Sequence, residues 1–389
     1  MKKYLFSVIL LIIVVFGCGY QAFAKSEPTN IKFIYLNGAN NNTPKMQNWF
    51  FQGIKKLHPD MKKTFESSDF IRKTFLKNGE YKIDPIPGMF FWGDKSISDL
   101  ENVDEKLISL SMFSPKIAQM FRTFFAHCIH DAIWVQKDHN MQPIVNDLHK
   151  EVLTVHSRGE KSVLFGYSAG SFITYEYLFY KLPALNNKNL LELVDFNDKQ
   201  REFVSENPVN GTCLDALISS KLLIFSTNGS LIPTSDFNEF RKIYRQLNGV
   251  TSQVCTPEGA LLGIINYASP IVLFYSDNID PSIEINKYNQ YIYKYMISKD
   301  MFTITVNFAD DPLGYPLTKN LTPEDLEQMY NFKFEDGGSG FMHDKSDVKS
   351  PATFLGAHTS YWKYSKKFSK AVRDAYKDGY LNFNSDGKI

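Results

Sequence analysis

Apolar and polar positions alternate between two rhythms along the chain. Ile31 to Leu36 (IKFIYL) is an apolar run rich in β-branched and aromatic residues, closed by Asn37 and Gly38, and it reads as a buried strand entering a loop. PGMFFW at 87–92 is a second candidate strand, and the Lys-rich stretch between the two reads as helix. Ile144, Val145, Leu148, Val152, Leu153 and Val155 recur mostly at helical spacing, Arg158-Gly159-Glu160 breaks that helix, and SVLFGY at 162–167 follows as a strand. Residues 171–182 (SFITYEYLFYKL) are apolar nearly all round, the pattern of a helix buried beside a sheet, and Pro183 stops it. LLIFST at 222–227 reads as the next strand and FTITVNF at 302–308 as a late one. A helix is expected over 321–330, with Thr322 as N-cap and Pro323 at its first position, and a last amphipathic helix over 359–376. Strand alternating with helix predicts an α/β fold with a mostly parallel central sheet and helices on both faces. From about Asn228 to Lys299 the pattern is irregular; part of this span is expected to form an inserted cap within one domain covering 25–389, with a further helix packed on the sheet as the plainer alternative.

The N-terminus departs from this pattern. Lys2 and Lys3 precede an apolar run from Leu5 to Phe16, short for a membrane span and suited to the core of an export signal. Ala22-Phe23-Ala24 offers cleavage that would remove residues 1–24, and VFGC at 15–18 offers lipidation at Cys18 instead, with an uncleaved anchor as the remaining outcome. Either route predicts an exported protein, periplasmic or extracellular, and lipidation would add contact with a membrane surface. In an oxidising compartment Cys213 and Cys255 could close a loop with Cys128 buried and free; three unpaired cysteines are the alternative. No cysteine spacing suits zinc. With 43 Lys and Arg against 42 Asp and Glu, and no basic block along the chain, no nucleic-acid partner is expected.

Chemistry enters at GYSAG, 166–170. A glycine on each side of Ser168, with a strand before and a helix after, is the pattern of a nucleophile elbow. A serine hydroxyl needs a histidine to take its proton, and that histidine needs a carboxylate to fix its tautomer. In folds with this elbow the order is Ser, acid, His, and only His343 and His358 follow Ser168. His358, in GAHTSYW, is favoured over His343 in SGFMHDK. The acid is expected beyond a late strand, at Asp311 before Pro312, with Asp310 as the alternative and Asp347 as an outside candidate. Oxyanion donors are expected from the backbone of Ala169 and, in the LNGANN loop, of Ala39 or Asn40.

LNGAN, GYSAG, ADDPLGYP and AHTSYW together resemble α/β-hydrolases of the lipase and esterase type over about Ile31 to Tyr380. The last two are also similar to stretches of DDHD-type phospholipases, through Asp311, Pro312 and Tyr315 and through His358, Tyr361 and Trp362. The resemblance implies a serine hydrolase acting on a small-molecule or lipid ester through an acyl-enzyme, with neither cofactor nor metal. A thioesterase or acyltransferase would use the same triad, and a secreted binding or envelope module on this scaffold is the non-catalytic alternative. The oligomeric state is left open.

Overall fold

The computed structural model describes residues 27–39, 43–77, 79–97, 99, 126–127, 130–131, 133–183, 185–225, 231–271, 287–315, 324, 338–352 and 355–384. The expected leader with Cys18, Cys128, and the helix at 321–330 apart from Glu324 lie outside them. Among the described residues seven strands build the central sheet: β1 (Thr29–Leu36), β2 (Tyr81–Ile83), β3 (Gly88–Phe90), β4 (Lys161–Tyr167), β5 (Leu261–Tyr267), β6 (Phe302–Phe308) and β7 (Phe341–Val348). Among the helices of the described residues that pack around it or position its loops are α1 (Pro44–Ser67), α2 (Asp69–Thr74), α3 (Asp138–Ser157), α4 (Ala169–Lys181), α5 (Lys287–Ser298) and α6 (Ser365–Phe383).

The strand order is β7-β6-β5-β4-β1-β2, every pair is parallel, and β3 lies beside the far end of β1, continuing the edge begun by β2. A parallel sheet covered on both faces needs strands that are apolar at every position, because successive side chains point to opposite sides. Thus Phe33, Tyr35, Val163, Phe165, Ile265 and Ile304 face one core, shared with α1, α2 and α6. Their neighbours Ile34, Leu36, Leu164 and Ile264 face the other, shared with α3 and α4.

Two expectations for the middle of the chain need correcting. LLIFST does not join the sheet: Leu223–Phe225 pairs antiparallel with Leu231–Pro233 in a separate two-stranded ribbon. The strand that follows the elbow helix in the sheet is LLGIINY, inside the span from 228 to 299 expected to be irregular and partly cap. Within this strand a Cβ on Gly263 would lie 2.5 Å from the Phe302 carbonyl oxygen, so the close approach of β6 requires glycine there. The described residues between α4 and β5, within about 183–260, lie outside the central sheet. Among them Cys213 and Cys255 form a disulfide, with Cα atoms 5.6 Å apart. The last helix begins at Ser365 rather than at 359, and His358 closes a short helical turn, Leu355–His358. No helix among the described residues is long and apolar enough to cross a membrane.

Candidate active site

β4 ends at Tyr167 and α4 begins at Ala169, so Ser168 alone makes the turn, with φ 52° and ψ −124°. The flanking glycines explain how strand and helix lie so close. A Cβ on Gly166 would lie 2.6 Å from Ser171 Cα, and one on Gly170 would lie 2.6 Å from the Asn37 carbonyl oxygen. The strained residue is tied down from both sides. Its amide donates to the Tyr267 carbonyl at 3.0 Å, and its carbonyl accepts from the Ser171 amide at 2.9 Å and from Ser171 Oγ. Ser171 Oγ in turn meets Ser269 Oγ at 2.9 Å, and the Ser269 amide is held by Asn307 Oδ1, also at 2.9 Å.

Ser168 Oγ lies 3.1 Å from His358 Nε2. On the other side of the ring, His358 Nδ1 is 2.9 Å and 3.1 Å from the two carboxylate oxygens of Asp311. All three residues are buried. A carboxylate only accepts, so the ring proton sits on Nδ1, which leaves the Nε2 lone pair facing the serine hydroxyl.

Each partner has its own support. Asp311 lies in a turn just past β6, where its amide donates to the Phe308 carbonyl at 3.0 Å. Its Oδ1 accepts from the Leu313 amide at 2.9 Å, and its Oδ2 accepts from Tyr361 Oη at 2.9 Å. Tyr361 Oη itself accepts from the Phe308 amide at 2.8 Å, so its single proton is directed at Asp311. Burial and then the Asp311 charge hold the phenol pKa well above its ordinary value, which keeps it a donor. The Tyr167 hydroxyl donates to the His358 carbonyl at 2.9 Å.

The other candidates lie elsewhere. Asp310 is exposed and accepts from the Ser350 amide at 3.3 Å. Asp347 is exposed and pairs with Lys345 at 3.6 Å. His343 stands in β7, not in a loop, opposite Ile304 and against Gly379 of α6. Burial lowers its pKa.

Of the expected oxyanion donors, Ala169 opens α4, where first-turn amides have no intrahelical acceptor. The loop after β1 passes directly against the nucleophile: a Cβ on Gly38 would lie 2.8 Å from Ser168 Cβ. Ala39 follows, half-buried against the core, and Asn40 lies outside the described residues. This loop and the elbow flank the crevice where strand order reverses, between β1 and its neighbour β4, the usual ligand position in open α/β sheets.

No protein-family model matches the chain, and neither does any curated protein or solved structure. Its chemistry must therefore be inferred from these atoms. Among the described residues, no group of three or more His, Cys, Asp or Glu side chains could hold a metal ion.

Sequence reasoning missed the residues that brace the site. Asn37, fully buried, accepts from the Trp92 amide at 3.1 Å through Oδ1 and from Trp92 Nε1 at 2.7 Å through its carbonyl, fixing the loop that carries Gly38. A polar residue at the end of an apolar strand was the only signal for it. Tyr167, Ser171 and Ser269 carried none, because their partners are remote in sequence or belong to a turn not foreseen.

Proposed function

We propose that this chain is a serine hydrolase of the α/β-hydrolase type that cleaves carboxylic esters, lipid or acyl esters foremost, through an acyl-enzyme. One observation carries the proposal: the hydrogen-bonded relay from Ser168 Oγ through His358 to Asp311, with the serine alone on a strained strand-to-helix turn. Resemblance to lipases and esterases at the four motifs and the position of the relay at the sheet crevice support it.

In this mechanism Ser168 Oγ attacks the ester carbonyl carbon while its proton passes to His358 Nε2. The carbonyl electron pair moves to oxygen, where the Ala169 amide and an amide of the Ala39 or Asn40 segment receive the oxyanion. Collapse of that intermediate expels the alcohol, which takes the proton from His358 and leaves an acyl-serine. Water then gives a proton to Nε2 and attacks the acyl carbon. The acid leaves as Ser168 recovers its proton. Asp311 stabilises the imidazolium in both halves, and Tyr361 and the Leu313 amide hold Asp311.

Export is part of the proposal. The N-terminal pattern supports it, and so does the Cys213–Cys255 disulfide, which persists in oxidising compartments.

The test is a fluorophosphonate probe applied to the wild type, Ser168→Ala and His358→Ala, with the adduct located by peptide mass spectrometry. Labelling should fall on Ser168, vanish in Ser168→Ala and slow by roughly 1,000-fold or more in His358→Ala. A folded wild type that resists the probe would count against the hydrolase reading.

A further inference from the structure

Charge is nearly balanced over the chain but not over its surface. Residues 44–77 and 363–383 carry 14 Lys and Arg against 5 Asp and Glu, a surplus of nine in a chain whose net charge is +1. These two segments, remote in sequence, are α1, α2 and α6 with their flanks, and they form one layer on one face of the sheet. Gly53 of α1 packs under the Trp362 indole, since a Cβ there would lie 2.7 Å from the ring. Asp60 accepts from Ser365 Oγ, Thr74 Oγ1 reaches Tyr376 Oη at 3.4 Å, and the Phe70 and Tyr380 rings meet edge-on with centroids 5.5 Å apart.

The outward side of this layer is almost purely cationic. Every Lys and Arg of the two segments except Lys62 and Arg373 is exposed, whereas Asp69 is their single exposed acid. The other four acids are occupied: Asp60 by Ser365, Glu66 by Lys62, Asp374 by Arg373 and Asp378 by Lys345. Among the exposed cations, Lys77 is neutralised by Asp300 from α5's following turn. An ordinary solvated surface intersperses both signs; a face of like charge is kept at a cost in self-repulsion that an anionic partner would offset.

We propose that this face docks on a bilayer bearing anionic lipid headgroups, delivering the catalytic mouth to ester substrate in the same membrane. The second half of that statement rests on the hydrolase reading; the docking does not. Two features favour a bilayer over a nucleic-acid strand or a soluble polyanion. The cations are carried by three helices that pack against one another, so they are distributed over a layer and not along one segment. The layer also reaches the catalytic end of the sheet. α1 starts soon after β1 leaves the crevice, so Lys45 is at that end, and α6 starts soon after His358, so Lys363, Lys366 and Lys367 are too. Half-buried Trp49, whose ring meets Trp362 at 4.7 Å, adds an aromatic of the kind that settles at a lipid–water boundary.

The test compares the full chain with Lys366→Gln/Lys367→Gln/Lys370→Gln, and with Lys188→Gln/Lys199→Gln/Lys242→Gln as a control. All six lysines are exposed, and the control three lie in the segment between α4 and β5. Binding is measured by co-sedimentation with equimolar phosphatidylglycerol–phosphatidylcholine vesicles and with pure phosphatidylcholine vesicles. At about 0.1 M salt the wild type should bind the anionic vesicles only, and about 1 M salt should release it. A surface lysine near an anionic leaflet contributes about 1 kcal/mol, or roughly fivefold, so the α6 triple should lose about 100-fold and the control little. Equal loss in the control, binding to pure phosphatidylcholine that the α6 triple does not weaken, or tighter binding to heparin or RNA than to vesicles would each overturn the proposal. Insertion of the apolar run at residues 5–16 would give the second of these results. Probe labelling of Ser168 is read on the same samples: vesicle binding without labelling sinks the hydrolase reading alone, and labelling without binding sinks the docking alone.

Discussion

Replacing Ser168 by glycine should make the protein more stable than replacing it by alanine, although both variants should escape the fluorophosphonate probe. At φ 52° and ψ −124° a Cβ crowds the backbone, and such a residue carries of order 1–3 kcal/mol of strain. The mirror image of this conformation lies close to polyproline II, so glycine, which has no handedness, occupies it without penalty. Alanine keeps the Cβ and the strain. Both substitutions delete Oγ and its bond to His358, so that loss cancels in the comparison. Against the strain relief stands the greater freedom of glycine in the unfolded chain, about 0.5–1 kcal/mol. The net expectation is that Ser168→Gly exceeds Ser168→Ala by roughly 0.5–2 kcal/mol. Urea unfolding at about 25 °C, followed by circular dichroism, reads this as a higher midpoint at unchanged slope. A glycine variant no more stable than the alanine variant would refute the idea that the elbow stores backbone strain, and with it the view that the turn is held for the sake of the hydroxyl.

Three further outcomes rest on the same geometry. Gly38→Ala places a Cβ 2.8 Å from Ser168 Cβ, so the loop must retreat toward ordinary contact, and the amide of Ala39 goes with it. Probe labelling should slow by about 10- to 100-fold in a protein that still folds, and an unchanged rate would separate this loop from the oxyanion. Tyr361→Phe removes a donor from the buried Asp311 carboxylate and should slow labelling by roughly 10-fold. Tyr267→Phe is the control, because Tyr267 Oη has no hydrogen-bond partner among the described residues and its ring lies 5.5 Å from that of Tyr361; equal slowing in both variants would reduce Tyr361 to packing. His149, bonded to Tyr177 Oη at 3.0 Å and with Nε2 buried without a partner among the described residues, has its pKa lowered to about 4, by burial first and then by the Lys181 charge. The unfolded state, with its histidine near 6.5, therefore binds the proton first, and the stability this group contributes is lost as pH falls from about 6.5 to 4 and is constant below. His149→Gln should lose less stability than the wild type across that window in urea midpoints, and parallel profiles would rule the group out.

What the sequence determined by itself is local. The apolar runs of β1, β4 and β6 and the glycines beside Ser168 fix backbone conformation within a few residues, and the order of strand, helix and chemistry-bearing loop followed from them. Where a local signal carried two meanings, only the tertiary structure decided. The span around Gly263 reads as irregular, yet it holds a central strand in which that glycine packs against β6. Asp310 and Asp311 are adjacent, and the turn after β6 sends one to solvent and the other to a histidine 47 residues away. His358 meets Ser168 across 190 residues, a contact set by which strands are neighbours and not by any spacing along the chain. The cationic face belongs with these. Neither segment reads as a basic block in a chain of balanced charge, and it is the shared core beneath α1 and α6 that turns both sets of lysines outward on the same side. Backbone preferences act over a few residues and are written along the chain; partnerships between side chains depend on how the sheet closes over its two cores, and only the folded molecule brings them together.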